Sequence, residues 1–198
     1  MSEQGDYAGA KLGMWLFLFT ELLLFGGLFL LYAVYFSNFP QAFSEAGRHL
    51  NVVLGAANTI ILLTSSLFAA MSLTAIQMNE RTRSVRLLSG TILCALTFLV
   101  IKYVEWSDKI RDGIYPNSPQ LADAPQGEAV FYSLYYMTTG LHGIHVLIGA
   151  ILLGWICVRV NTGKVTSDNS VLLENGALYW HLVDLIWIFI FPLFYLIL

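Results

Sequence analysis

Long apolar runs separated by short polar breaks dominate this chain. Five runs, over residues 12–36, 52–78, 85–106, 129–158 and 171–198, are each long enough to cross the ~30 Å hydrocarbon core of a bilayer at ~1.5 Å per helical residue. The breaks between them, "SNFPQAFSEAGRHLN", "NERTRS", "SDKIRDGIYPNSPQLADAPQGE" and "NTGKVTSDNS", concentrate charge, Pro, Gly and Asn. Lipid offers the backbone no hydrogen-bonding partner, so segments of this length and composition are expected to be helices. The pattern therefore predicts an all-α fold: one polytopic membrane domain over residues 1–198, built as a bundle of five transmembrane helices. No loop is long enough to fold alone, and no internal repeat of the kind that marks many secondary transporters is visible.

Composition supports this reading and removes some alternatives. Hydrophobic residues make up 57% of the 198 and charged residues 12%, against roughly 25% charge in a soluble domain. The net charge of −3 comes with no basic block able to track phosphates, so nucleic acid is not an expected partner. Cys94 and Cys157 lie in apolar spans without CxxC spacing and read as small apolar residues. Orientation follows from the distribution of cations. With the N-terminus inside, the inner segments hold Lys11, Arg81, Arg83, Arg86, Arg159 and Lys164, and the outer loops hold Arg48, Lys109 and Arg111. That excess predicts a cytoplasmic N-terminus and an outer C-terminus. The longest loop, residues 107–128 with three prolines, then lies on the outer face.

Ionisable residues inside the spans carry the candidate chemistry, because an unpaired charge there costs at least ~2.5 kcal/mol. Glu21 stands in "LFLFTELLLFGGLF" with only Thr20 beside it as a polar residue. Such a carboxyl is either a proton carrier or a protonated acid bonded to a neighbouring helix. The fourth span carries His142 and His145 in "TTGLHGIHVLIGAILLG", and the fifth carries His181 and Asp184 in "ALYWHLVDLIWIF". By helical rise, Glu21, His145, His181 and Asp184 fall within one layer of the bundle. Lys102 and Glu105 lie near the outer end of the third span, three residues apart, where they pair or snorkel.

Three roles suit this layer: a metal or haem site, a proton path, or polar pins between helices. A carboxylate-bridged di-iron site needs a Glu-x-x-His pair from each of two helices plus further glutamates, which this set does not supply. Three histidines suffice in number for zinc or for a bis-histidine haem. Gly140, Gly143, Gly149 and Gly154 are interleaved with the histidines, which suits tight helix packing with each imidazole bonding a carboxylate or carbonyl. The polar residues look confined to one layer and not strung along a track, and Pro192 is the only proline within the spans. Both features count against a transporter or channel.

"KLGMWLFLFTELLLFGGLFLLY", "GLHGIHVLIG" and "ENGALYWHLVDLIWIF" resemble three signature stretches of subunit III of the haem–copper oxidases, in the same order. "IKYVEW" resembles a fourth. The resemblance covers essentially the whole chain, and the five spans are similar to the short bacterial form, which lacks the first two helices of the seven-helix version. It implies a non-catalytic subunit with no haem, copper or other metal of its own. The partner would be the large catalytic subunit, with its haem and copper, which reduces dioxygen to water and pumps protons across the bacterial cytoplasmic membrane. It also implies support of proton uptake, protection against turnover inactivation, bound phospholipid, and possible membership of a respiratory supercomplex. Glu21 aligns with the family's intramembrane glutamate, and His142, His145, His181 and Asp184 align with its packing motifs. Arg159 and Trp15 become lipid head-group candidates. Some quinol oxidases resemble this chain but carry aspartate at the Glu21 position, and an accessory protein of some nitric oxide reductases shares the five helices. The glutamate favours the cytochrome c oxidase type.

Overall fold

Seven helices and no named strand make up the described chain. The computed structural model describes residues 2–196, with side chains from residue 9 to residue 196. Five helices are long and apolar enough to cross a membrane: α1 (Ser2–Asn38), α3 (Val52–Gln77), α4 (Arg81–Arg111), α6 (Gln126–Asn161) and α7 (Val171–Tyr195). Five apolar helices of this kind make a multi-pass membrane protein. They coincide with the five predicted spans. Three of them, α1, α4 and α6, extend beyond the predicted limits at both ends, because a hydropathy pattern marks only the apolar part of a helix while its backbone bonding continues into the polar flanks. The last two residues of the fifth span lie outside the described residues.

Two short helices, α2 (Pro40–Arg48) and α5 (Pro119–Asp123), occupy what reads in the sequence as irregular breaks. Each starts on a proline, whose fixed φ and missing N–H suit a first helical turn. Their burial explains why they form. Phe43 of α2 is fully buried against Tyr32, Phe36 and Phe131. Leu121 anchors α5, with the Ser118 side chain accepting the Leu121 N–H as its cap.

Packing follows heptad-like stripes. On α3 the buried stripe runs through Gly55, Asn58, Leu62, Ser65, Ala69, Ser72 and Ile76, with Ala75 buried beside it. On α4 they are Ser84, Leu88, Thr91, Ala95, Phe98, Lys102 and Glu105. The 3–4 spacing and the small side chains let these antiparallel neighbours approach closely without a hydrophobic drive between them. α6 and α7 complete a four-helix unit with α3 and α4. Helix α1 differs. It buries one stripe through Leu18, Phe25 and Tyr32, packs on α6 and α7, and among the described residues makes no close approach to α3 or α4. Leu16, Phe19, Leu23 and Leu30 face outward from it.

Candidate functional site

Buried polar side chains run along most of the bundle and are not confined to one layer. They extend from Ser72 and Ser84 near the α3–α4 turn to Lys102 and Glu105 at the opposite end. A single layer is what the ionisable groups of α1, α6 and α7 suggest; serine, threonine and asparagine, ordinary in an apolar run, extend the polar seam. Those smaller groups occupy the seams: Ser65, Ser72, Thr91 and Asn58 are all fully buried.

The sequence isolates Glu21, and the fold gives it a partner. Glu21 Oε2 lies 2.9 Å from His145 Nε2 across the α1–α6 contact, and both side chains are mostly buried, at 13% and 12% exposure. The other ring nitrogen, Nδ1, lies 2.8 Å from the Leu141 carbonyl oxygen. A carbonyl only accepts, so Nδ1 carries a hydrogen. That leaves two arrangements at the other contact. Either the acid is neutral and donates to Nε2, or the imidazolium donates to the carboxylate. In both the pair has zero net charge and holds one proton between two heavy atoms. Phe25 closes the ring from one side, with centroids 5.3 Å apart, and the Tyr179 hydroxyl donates to the His145 carbonyl at 3.2 Å.

His181 Nδ1 lies 2.7 Å from the Ser66 hydroxyl of α3. Asp184, one turn along α7, is 3% exposed, and neither of its oxygens has a hydrogen bond of ordinary length. His142 also departs from the expected bonding. It is fully buried, flanked by Phe98 and Trp187, and neither ring nitrogen has a partner. The three histidines thus sit in three separate environments. Among the described residues, no group of three or more His, Cys, Asp and Glu side chains is placed to hold a metal ion.

The Lys102–Glu105 pair is buried and does not snorkel. Its exposure is 9% and 3%, and Nζ lies 3.1 Å from Oε2. Nζ also donates to Tyr135 Oη at 3.0 Å and Tyr195 Oη at 2.8 Å. Both hydroxyls in turn donate to Glu105 Oε1, at 2.8 Å and 2.6 Å. All three ammonium hydrogens and both hydroxyl hydrogens are thereby used, tying α4, α6 and α7 together. The tyrosines were missed because a tyrosine in an apolar run reads as an interfacial anchor. The available signal was register: Ala95, Phe98, Lys102 and Glu105 continue the 3–4 stripe of α4.

A cleft of about 600 Å³ opens between α1, α3 and α7. Its lining includes Lys11, Trp15, Leu73, Gln77, Glu174 and His181, and Lys11 pairs with Glu174 at 3.0 Å. Trp15 is thus placed at an amphipathic cleft. Arg159 is elsewhere, with its guanidinium stacked 4.7 Å from the Trp155 ring centroid.

Comparison with known proteins adds an independent line. Residues 4–197 match the family described as cytochrome c oxidase subunit III. Among curated relatives, cytochrome c oxidase subunit 3 of Corynebacterium diphtheriae is 31% identical over 94% of this chain and 87% of its own length. The subunit 3 of Yarrowia lipolytica is also 31% identical, over 94% of this chain and 67% of its own length. A protein of Aeropyrum pernix named heme-copper oxidase subunit I+III is 27% identical over 93% of this chain, which spans 22% of that relative.

Proposed function

This chain belongs to the cytochrome c oxidase subunit III family, and from that membership we propose that it is the non-catalytic third subunit of a haem–copper terminal oxidase, supporting proton uptake by its partners. Haem and copper belong on the catalytic subunits it packs against, where dioxygen is reduced to water. The relative carrying subunits I and III in its name supports a direct contact between such chains. The membrane is the bacterial cytoplasmic membrane, with the Lys11, Arg81 and Arg159 ends of the helices on the cytoplasmic side.

The observation that carries the proton role is the Glu21–His145 pair, 2.9 Å apart within the apolar stretch of α1. Losing its shared proton would leave a net negative charge in hydrocarbon, and gaining a second would leave a positive one. A pair that carries zero net charge as it stands, set in an apolar stretch, suits a local proton buffer. Glu21→Gln keeps the shape and a hydrogen bond to the imidazole but removes the acid. The purified oxidase should assemble normally with this variant, take up protons more slowly, and inactivate several-fold sooner during turnover. Unchanged uptake and lifetime in a fully assembled complex would overturn the role.

Lipid binding is proposed for the cleft beside α1. Its walls are apolar, and Lys11, Gln77 and Glu174 line it at the proposed inner surface, the arrangement an acyl chain and its head group require. Lys11→Gln should lower phospholipid retained by the purified subunit in native mass spectrometry, with Arg159→Gln as the comparison at a separate place.

A further inference from the structure

The wall of the cleft carries one polar group well below its mouth. Lys11 and Glu174 mark the mouth, paired at 3.0 Å. Beyond them Ala70 and Leu73 on α3 and Ala177 on α7 make the wall apolar, and the two alanines leave room between the helices. His181 also lines the cleft, seven residues past Glu174 and so ~10 Å deeper at helical rise. Its bonding fixes what it offers there. Ser65 and Ser72 return their hydroxyl hydrogens to carbonyls three residues back on α3, but Ser66 bonds across to His181 Nδ1 at 2.7 Å. Neither Asp184 oxygen takes a hydrogen bond, so the Ser66 hydrogen goes to Nδ1. The neutral ring then carries its own hydrogen on Nε2. With Nδ1 engaged on α3, the Nε2–H is the donor that His181 presents to the cleft. A donor in an apolar wall favours an occupant with an acceptor at the same depth, since covering it with hydrocarbon forfeits its hydration for nothing.

We propose that the His181 Nε2–H donates to a glycerol ester carbonyl of the bound phospholipid, which makes the cleft selective for ester-linked over ether-linked lipids. This rests on the lipid reading of the cleft above and names the class of lipid it takes. A diester phospholipid carries its carbonyls between the charged head group and the hydrocarbon tails. That order matches the cleft: charged Lys11 and Glu174 at the mouth, the imidazole donor below them, and apolar wall around it. An ether lipid of the same chain length has nearly the same shape but lacks the carbonyl, so it leaves the donor without a good acceptor. Ser66 is a positioning residue here, because its hydroxyl keeps the ring hydrogen on the nitrogen that faces the lipid. Held at head group and ester together, the lipid sits at a fixed depth beside α1.

The test is competition between two phosphatidylethanolamines of equal chain length, one diester and one diether, for the purified full-length chain, read by native mass spectrometry. The parent should retain the diester form about fivefold better, the order of one net neutral hydrogen bond. His181→Phe should bind both lipids equally, and His181→Gln, which restores an N–H donor, should recover part of the preference. In Ser66→Ala the ring is free to carry its hydrogen on Nδ1, and the preference should fall to about twofold. Equal retention of the two lipids by the parent would overturn the assignment, as would an undiminished preference in His181→Phe. Should His181→Phe fail to fold, Ser66→Ala decides, since it keeps the imidazole; an unchanged preference there is equally fatal. Lipid retained without ester preference, and lowered in Lys11→Gln, would leave the lipid reading standing and remove only this one. Retention of neither lipid by the parent would remove both.

Discussion

Replacing Lys102 by methionine is expected to destabilise the bundle by about 3–5 kcal/mol, the largest effect of any single substitution at its proposed outer end. The attraction between the two groups does not set that figure; the charge left behind does. Glu105 is 3% exposed, and without the ammonium its carboxylate keeps only two neutral hydroxyl donors. Double replacement, Lys102→Met with Glu105→Gln, removes both charges and leaves the amide oxygen to accept from Tyr135 and Tyr195. It should recover most of the loss, because a buried ion pair is worth little against a neutral equivalent. Thermal denaturation of the purified complex in detergent measures both variants. Full stability in Lys102→Met alone, or no recovery in the double variant, would show that the four groups do not act as a unit.

A second large effect is expected at Gly149. A Cβ there would sit 2.8 Å from Cε3 and Cζ3 of Trp180 and 3.2 Å from the Tyr179 ring. The indole cannot retreat: it is fully buried, and its Nε1 donates to Ser65 Oγ at 3.0 Å. Gly149→Val should therefore force α6 and α7 apart at the cost of about 3 kcal/mol or more, the upper end for overpacked cores. Gly143 is the control on the same helix, since a Cβ there meets nothing within 4 Å. Gly143→Val should assemble in normal yield on co-purification, and Gly149→Val should not. Equal yields would mean that the helices are free to adjust.

These two positions also show what could be read from the sequence. The five spans were legible because twenty or so apolar residues have few uses outside a bilayer. The glycines of α6 suggested close packing, but not which of them touch a neighbour, since that depends on rotation about the helix axis. Lys102 and Glu105 were recognisable as a pair, yet their burial depended on Tyr195, 90 residues from Glu105 in sequence. Glu21 was singled out on chemistry alone. Its partner could have been any of three histidines, and only the crossing of α1 with α6 selects His145. His142 shows the converse: the sequence grouped it with bonded histidines, whereas Phe98 and Trp187 enclose it without a hydrogen bond. The helices α2 and α5 escaped the hydropathy pattern because each is short and buries few apolar side chains, Phe43 and Ala46 in α2 and Leu121 in α5.

Among the described residues, α6 and α7 are the only long helices that α1 packs on, and this placement bears on biogenesis. Its apolar stretch is the first of the five to leave the ribosome, yet the surface that receives it is made from the last two long helices. Glu21 and His145 are 124 residues apart, so at the usual ~5–20 residues per second synthesis leaves the acid without its imidazole for about 6–25 s. Throughout that interval α1 lacks the two long helices it packs on, and its carboxyl lacks its imidazole. Completion of α6 ends the wait. The pair is thus a late-closing step in membrane assembly, and a nascent chain truncated before His145 should present Glu21 to carbodiimides from the lipid phase.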